Sequence, residues 1–204
     1  MKKIFFSITL LPDKEVNSLV LTLNRQLGEK LKLHEVDVND TEFAHISLYN
    51  ATFPEYNRNV VQNSLREIFG NIQSIKFVPE SVNIKSRFVS VVFEKSPSLI
   101  DLQDKIIETL NPLREGLLQG KYTEKSESYS QEELLNAHAY GYPFFKDQFS
   151  PHMTIAKLEN TGDGTQAVKE IAWEKPITIN RASVRILFTN DMGEKTKEVV
   201  YFNF

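Results

Sequence analysis

A short pattern of residues occurs twice in this chain and limits its fold more than any other feature. Residues 43–50 and 149–157 both run through an apolar residue, a histidine, an apolar residue, a hydroxyl residue and an apolar residue. This period of two is typical of a half-buried β-strand, whose successive side chains point to opposite faces. Each copy therefore predicts an imidazole beside a hydroxyl on one strand face: His45 with Ser47, and His152 with Thr154.

The two patterns lie about half the chain length apart, and the predicted element order after them is the same. Each is followed by a helix, a strand, a turn and a strand. No linker separates the halves, so we expect residues 1–204 to form a single bilobal domain. The predicted fold class is α+β: two pseudo-symmetric lobes of mostly antiparallel sheet, with helices on the outer faces and a central cleft.

Cap and breaker residues predict where several helices begin. Asp13 is a predicted N-cap, and Ser130 with Glu133 forms a predicted capping box. Pro97 stands where a first-turn proline is tolerated in a helix.

Three other segments carry weaker local signals. Apolar residues predict one strand over 72–84 and a helix over 167–171. The polar stretch 119–131 has no clear period and is predicted to be a long loop.

Composition excludes some classes of function. The net charge of −3 and the pI near 5.9 argue against a large basic surface for duplex DNA, and favour a small nucleotide or short RNA as substrate. The chain has no cysteine, which removes thiolate chemistry and fits a cytoplasmic location. No apolar run approaches the roughly 20 residues of a membrane span, and the first residues predict a strand. We expect a monomer.

The two motifs resemble the paired His-x-Ser/Thr signatures of the two-histidine (2H) phosphoesterase superfamily. That superfamily includes RNA 2′-5′ ligase-like proteins, cyclic phosphodiesterases and 2′,5′-oligoadenylate phosphodiesterases. The resemblance spans nearly the whole chain, but its specific part is His45-Ile46-Ser47 and Pro151-His152-Met153-Thr154 with their spacing. It implies a bilobal α+β fold and a reaction at a 2′- or 3′-linked phosphate that needs no metal or other cofactor.

The chemistry of these side chains points the same way. Phosphoryl transfer between oxygens needs one group that accepts a proton and another that donates one. Two imidazoles, with unperturbed pKa values of about 6.5, can hold opposite protonation states at neutral pH. The hydroxyls of Ser47 and Thr154 can donate hydrogen bonds to the non-bridging phosphate oxygens. The predicted function is a phosphodiesterase for 2′,5′-linked oligonucleotides or 2′,3′-cyclic phosphate RNA ends.

Other interpretations stay open at the level of sequence. A single histidine on a strand is usually a hydrogen-bonded structural residue, and the same cleft would suit a catalytically silent module that binds nucleotides or RNA ends. The same residues also permit RNA 2′-5′ end joining. A zinc site is disfavoured because His34 and His138 show no metal-ligand spacing.

Four further residues are candidates for substrate binding. Tyr49 shares the strand face of His45 and either stacks on a base or packs on its own sheet. Tyr142 and Phe149 belong to an aromatic cluster before the second motif, which forms either a stacking wall or core. Lys157 ends the second motif strand and supplies either phosphate-binding charge or ordinary surface.

Overall fold

The computed structural model describes residues 1–34, 43–85, 87–122, 129–160, 168, 171, 173, 175–189 and 195–204. The strands within these residues are β1 (Lys3–Leu10), β2 (Ile46–Pro54), β3 (Ile75–Phe77), β4 (Pro79–Lys85), β5 (Phe88–Phe93), β6 (His152–Lys157), β7 (Ile177–Ile179), β8 (Arg181–Thr189) and β9 (Lys195–Asn203). The α-helices are α1 (Lys14–Gly28), α2 (Arg58–Phe69), α3 (Pro97–Leu110) and α4 (Gln131–Tyr140).

Seven of the described strands form one antiparallel sheet in the order β4-β5-β6-β2-β1-β8-β9. The two motif strands, β2 and β6, are neighbours at its centre and pair at Ile46 and Met153. The strands β3 and β7 form a second, two-stranded antiparallel sheet. The predicted α+β class with mostly antiparallel sheet is therefore confirmed.

The halves of the chain interlock because each motif strand is extended by strands from elsewhere in the sequence. The hairpin β4-β5, which follows the first motif, joins the sheet beside the second motif strand β6. The hairpin β8-β9, which follows the second motif, joins β1 on the side of the first motif strand. The equivalent strands β3 and β7 then pair with each other. This exchange gives the sheet its approximate twofold character.

Helices cover the sheet with apolar faces and a few buried amides. Helix α1 packs against β6, and its buried Asn24 donates an Nδ2 hydrogen bond of 2.9 Å to the Ile155 carbonyl oxygen. Helix α3 packs against β2, where Gln103 donates a 2.9 Å bond to the Leu48 carbonyl oxygen. Both amides satisfy strand carbonyls that would otherwise be buried without a partner.

The predicted helix starts are confirmed. Asp13 Oδ1 accepts a 2.8 Å hydrogen bond from the Val16 backbone N–H. Ser130 and Glu133 exchange both bonds of a capping box. Pro97 is in the first turn of α3. These features form locally because each cap satisfies backbone N–H groups within its own first turn.

The prediction of one strand over 72–84 is wrong. The chain forms β3 in the small sheet and then, from Pro79, β4 at the edge of the large sheet. Proline has no N–H to donate, so it is tolerated at the start of an edge strand but would interrupt a continuous ladder. Residues 123–128 of the predicted loop 119–131 lie outside the described residues, while 120–122 form a 3₁₀ turn and Gln131 begins α4. Most of the predicted helix 167–171 also lies outside the described residues.

In the described part of the chain, no helix is both long enough and apolar enough to cross a membrane.

A buried arginine holds the end of α4 against the turn that follows α3. Arg114 is 2% exposed and donates hydrogen bonds to the Asn111 side chain and to the carbonyl oxygens of Leu117, His138 and Ala139. Burial lowers the pKa of this guanidinium. Gly141, which ends α4 with φ +75°, lies against it: a Cβ there would be 2.5 Å from Arg114 Cδ. The turn thus leaves room only for glycine.

We predict that Gly141→Ala lowers the free energy of unfolding by about 2 kcal/mol or more, because a left-handed alanine costs roughly 1–2 kcal/mol before any clash. Gly116→Ala is the matched control, since Gly116 has φ +73° but an added Cβ there would have no atom within 4 Å. It should cost only about 1 kcal/mol. Urea unfolding measures both, and equal losses would show that contact with Arg114 contributes nothing.

Candidate active site

The central strand pairing brings the two motifs onto one face of the sheet. Ile46 and Met153 are direct cross-strand partners, and both are fully buried. Partners directly opposite each other point to the same face, so the residues on either side of them point to the other face. The side chains that share this second face are His45, Ser47, His152 and Thr154. In antiparallel register, each histidine faces the hydroxyl of the opposite motif across the strand boundary.

Both imidazoles are oriented by the same local hydrogen bond. Nδ1 of His45 is 3.0 Å from the carbonyl oxygen of Phe43, and Nδ1 of His152 is 2.8 Å from that of Ser150. A carbonyl oxygen only accepts, so Nδ1 carries the proton in each ring. Nε2 is then the nitrogen that this bond leaves unused in both rings. His152 is exposed, and His45 is half-buried.

Each motif hydroxyl has a second hydroxyl beside it on the neighbouring strand. Ser90 of β5 is the cross-strand partner of Thr154, with 3.4 Å between their oxygens. Thr9 of β1 is the partner of Ser47 and forms a 2.9 Å hydrogen bond with the Ser183 hydroxyl. The sequence reasoning missed Ser90 and Thr9. Both residues lie in segments whose apolar and polar residues alternate, but local sequence does not predict which strand each segment pairs with.

A cavity of about 350 Å³ opens beside the motif face, and it lies on the side of the second motif. Its floor comes from β4 and β5, including Phe88 and Ser90, and Ser47 and His152 border it. Its other wall comes from α4 and the segment that follows, including Phe144. The strands are related by approximate symmetry, but α4 covers only one side, so the cavity is asymmetric.

Tyr142 and Phe149 line this cavity, 5% and 3% exposed respectively. Tyr142 packs edge to face against Phe144, with ring centroids 5.5 Å apart. Burial raises the pKa of Tyr142, which stays neutral at physiological pH. Both rings are thus apolar walls whose edges reach the cavity.

Tyr49 is completely buried, and it does not border the cavity. Its hydroxyl donates a 2.6 Å hydrogen bond to the Tyr140 carbonyl oxygen, and burial raises its pKa. This placement favours the packing alternative over stacking on a base. The predicted strand face is wrong: a β-bulge at Leu48 makes Tyr49 the partner of Ile8, so its ring lies on the core face with Ile46 and not beside Ser47.

The remaining candidate and the two other histidines lie away from the motif hydroxyls. Lys157 lies opposite Phe88, with Nζ 5.5 Å from the ring centroid. His34 is exposed and accepts from Arg87 at 3.3 Å, while His138 is exposed on α4. Within the residues described, no three histidine or carboxylate side chains are grouped as metal ligands would be.

Solved structures share this arrangement of strands and helices. Escherichia coli LigT in its apo form has a TM-score of 0.57 at 9% identity, covering 100% of this chain and 98% of LigT. TT0787 of Thermus thermophilus has a TM-score of 0.59 at 12% identity, covering 98% and 97%. E. coli LigT complexed with 3′-AMP has a TM-score of 0.56 at 9% identity, covering 100% and 99%. The chain therefore has the fold of LigT and TT0787, and the predicted resemblance to the two-histidine phosphoesterases is confirmed at the level of the fold.

The sequence also matches a family. Residues 51–186 match the model of the family described as "Protein of unknown function (DUF1045)", and the chain belongs to that family. The matched region contains the second motif, whereas His45 and Ser47 precede it. No curated protein matches the chain in sequence.

We predict that Tyr49→Phe lowers the free energy of unfolding by about 1–2 kcal/mol, because it removes a fully buried hydroxyl and leaves the half-buried Tyr140 carbonyl oxygen without this donor. Tyr56→Phe removes the same atom from a side chain that is 64% exposed and bonded to Glu115. That control should change stability by less than about 0.5 kcal/mol. Urea unfolding of the two variants tests the difference, and similar small values for both would contradict the assigned hydrogen bond.

Proposed function

We propose that the protein is a metal-independent phosphodiesterase of the 2H type, which acts on 2′,5′-linked oligonucleotides or on 2′,3′-cyclic phosphate ends of RNA. His45 and His152 are the general acid and base, and Ser47 and Thr154 hold the phosphate. One observation carries the proposal. Two imidazoles on one sheet face are held by matching Nδ1 bonds, so both offer Nε2 for proton transfer.

The surroundings of the two rings support this assignment. In antiparallel register each motif histidine has the hydroxyl residue of the other motif opposite it, so a phosphate between the histidines would have donors on both sides. E. coli LigT, which has the same fold, is known complexed with 3′-AMP and, at a TM-score of 0.53, with ATP. We therefore assign nucleotide phosphates to the site of this chain as well.

The cavity breaks the near-symmetry of the two histidines. Because the cavity borders His152, we place the nucleoside that carries the phosphate there, with Tyr142 and Phe149 as apolar walls. His152 then exchanges protons with the 2′ or 3′ oxygen of that nucleoside. His45 exchanges protons with the other oxygen bound to phosphorus.

Atoms and protons balance for both substrate classes. With a cyclic phosphate, water attacks phosphorus and gives a proton to His45, the P–O bond to one ribose oxygen breaks, and His152 protonates that oxygen. With a 2′,5′ linkage, the 3′-hydroxyl attacks and gives its proton to His152. The P–O5′ bond then breaks and His45 protonates the released oxygen. The first reaction yields a phosphomonoester, and the second a cyclic phosphate.

The alternatives differ from this proposal in what they require. A silent binding module does not need two oriented proton-transfer groups, so the paired Nδ1 bonds favour an enzyme. RNA 2′-5′ end joining reverses the second reaction and uses the same residues, so only product analysis separates it from cleavage. A cytoplasmic location and a monomeric state stay predictions.

We predict cleavage of 2′,5′-linked oligoadenylate or 2′,3′-cyclic AMP in the presence of EDTA, with 3′,5′-linked oligoadenylate spared. His45→Ala and His152→Ala should each lower kcat by about 10²-fold or more, since each removes a proton-transfer group. Ser47→Ala and Thr154→Val should each lower it by about 10²-fold through loss of a phosphate donor. Chromatographic separation of the products measures all of these effects.

His138→Ala is the matched control, because this histidine is exposed on α4 and outside the cavity lining. Its activity should equal that of the wild type. Absence of turnover with every substrate, combined with nucleotide binding that survives both motif substitutions, would refute the enzyme and leave the binding module.

A further inference from the structure

Three side chains form a row across β4, β5 and β6 beside the motif face. Phe88 is the cross-strand partner of Lys85 on one side and of Lys157 on the other. Direct partners point to the same face of a sheet. Phe88 and Lys85 line the cavity, and the contact of the Lys157 Nζ with the Phe88 ring shows that Lys157 shares their face at the rim.

This row lies next to the hydroxyls that are proposed to hold the phosphate, two residues away along β5. Phe88 and Ser90 both line the cavity and are two residues apart on β5, so their side chains are about 6.8 Å apart along the strand. Ser90 is the partner of Thr154. A nucleotide joined to the one that reacts and running along β5 would therefore reach Phe88.

The two lysines differ in their partners. Lys85 Nζ is 3.7 Å from Glu133 Oε1, and the other oxygen of Glu133 accepts the Ser130 N–H in the capping box. Lys157 makes no ion pair with any carboxylate in the described residues. Its charge is thus the part of the row that remains available to an anion.

Phe88 is 43% exposed, although it belongs to a strand whose other face is buried core. An exposed ring next to a cation is the combination that binds single-stranded nucleic acid: the base stacks on the ring, and the cation attracts the backbone. We propose that Phe88 and Lys157 form a subsite for a second nucleotide. The preferred substrate is then a single-stranded RNA end of at least two nucleotides. This assignment of the substrate rests on the proposed function.

The first test compares kcat/KM for a 2′,3′-cyclic-phosphate-terminated trinucleotide with that for 2′,3′-cyclic AMP. The wild type should prefer the trinucleotide by about 10-fold or more, and Phe88→Leu or Lys157→Ala should each cut that ratio about 5-fold. Phe88→Leu keeps an apolar side chain but removes the stacking surface. Lys197→Ala removes the same charge from an exposed position on the edge strand β9 and should leave the ratio unchanged.

The second test does not depend on turnover. Fluorescence anisotropy measures binding of a labelled single-stranded RNA trinucleotide to His152→Ala protein at several salt concentrations. Adding Lys157→Ala should reduce the slope of log Kd against log salt by about 0.7, the value for one lost contact with a single strand. Adding Lys197→Ala should not change the slope.

The outcomes separate the two proposals. Equal kcat/KM for both substrates, or a salt slope that Lys157→Ala leaves unchanged, would overturn the subsite, while turnover of cyclic AMP would still support the phosphodiesterase. Binding that depends on Phe88 and Lys157, without turnover of any substrate, would support the subsite and refute the phosphodiesterase.

Discussion

The antiparallel contact between Ile46 of β2 and Met153 of β6 joins two segments that are far apart in sequence. Both side chains are fully buried, so the contact belongs to the apolar core and is stabilised by it. The four motif side chains depend on this contact, because it decides which strand faces meet and in which register. A slip of one residue in either strand would turn its histidine and hydroxyl into the core.

The central sheet is nearly symmetric, but the cavity is not. Helix α4 and the residues after it cover the side of the second motif, and three side chains hold them there. Arg114 binds the end of α4, Asn136 donates to the Phe145 carbonyl oxygen, and Gln103 bridges the carbonyl oxygens of Leu48 and Phe144. Two equivalent histidines therefore have different surroundings. Because of this asymmetry, the proposed reaction assigns the two histidines different oxygens. His152 exchanges protons with an oxygen of the nucleoside in the cavity, and His45 exchanges protons with the other oxygen bound to phosphorus.

Similarity to E. coli LigT extends over the whole chain at only 9% identity, although the fold is shared. Such divergence is physically reasonable, because strands need alternating apolar positions of suitable volume and not particular residues. A histidine followed two places later by a hydroxyl fits this alternation without disturbing the core. The motif face can thus be kept while most of the remaining sequence changes.

Sequence alone determined the features that depend on neighbours within a few residues. Alternation in the two motifs identified the strand faces of His45 and His152, and the caps at Asp13 and Ser130 formed as predicted. Sequence alone did not predict placements that depend on residues far away in the chain. Residues 72–84 divide between two sheets because β3 pairs with β7, and Tyr49 is buried because a β-bulge in the pairing of β2 with β1 turns it to the core face. The neighbourhood of Phe88 and Lys157 likewise exists only once β5 pairs with β6. Strict alternation from Thr154 would put Lys157 on the opposite face, but the register shift beside Val89 and Ser90 brings it opposite Phe88. Such a bulge depends on the partner strand, which local periodicity does not specify.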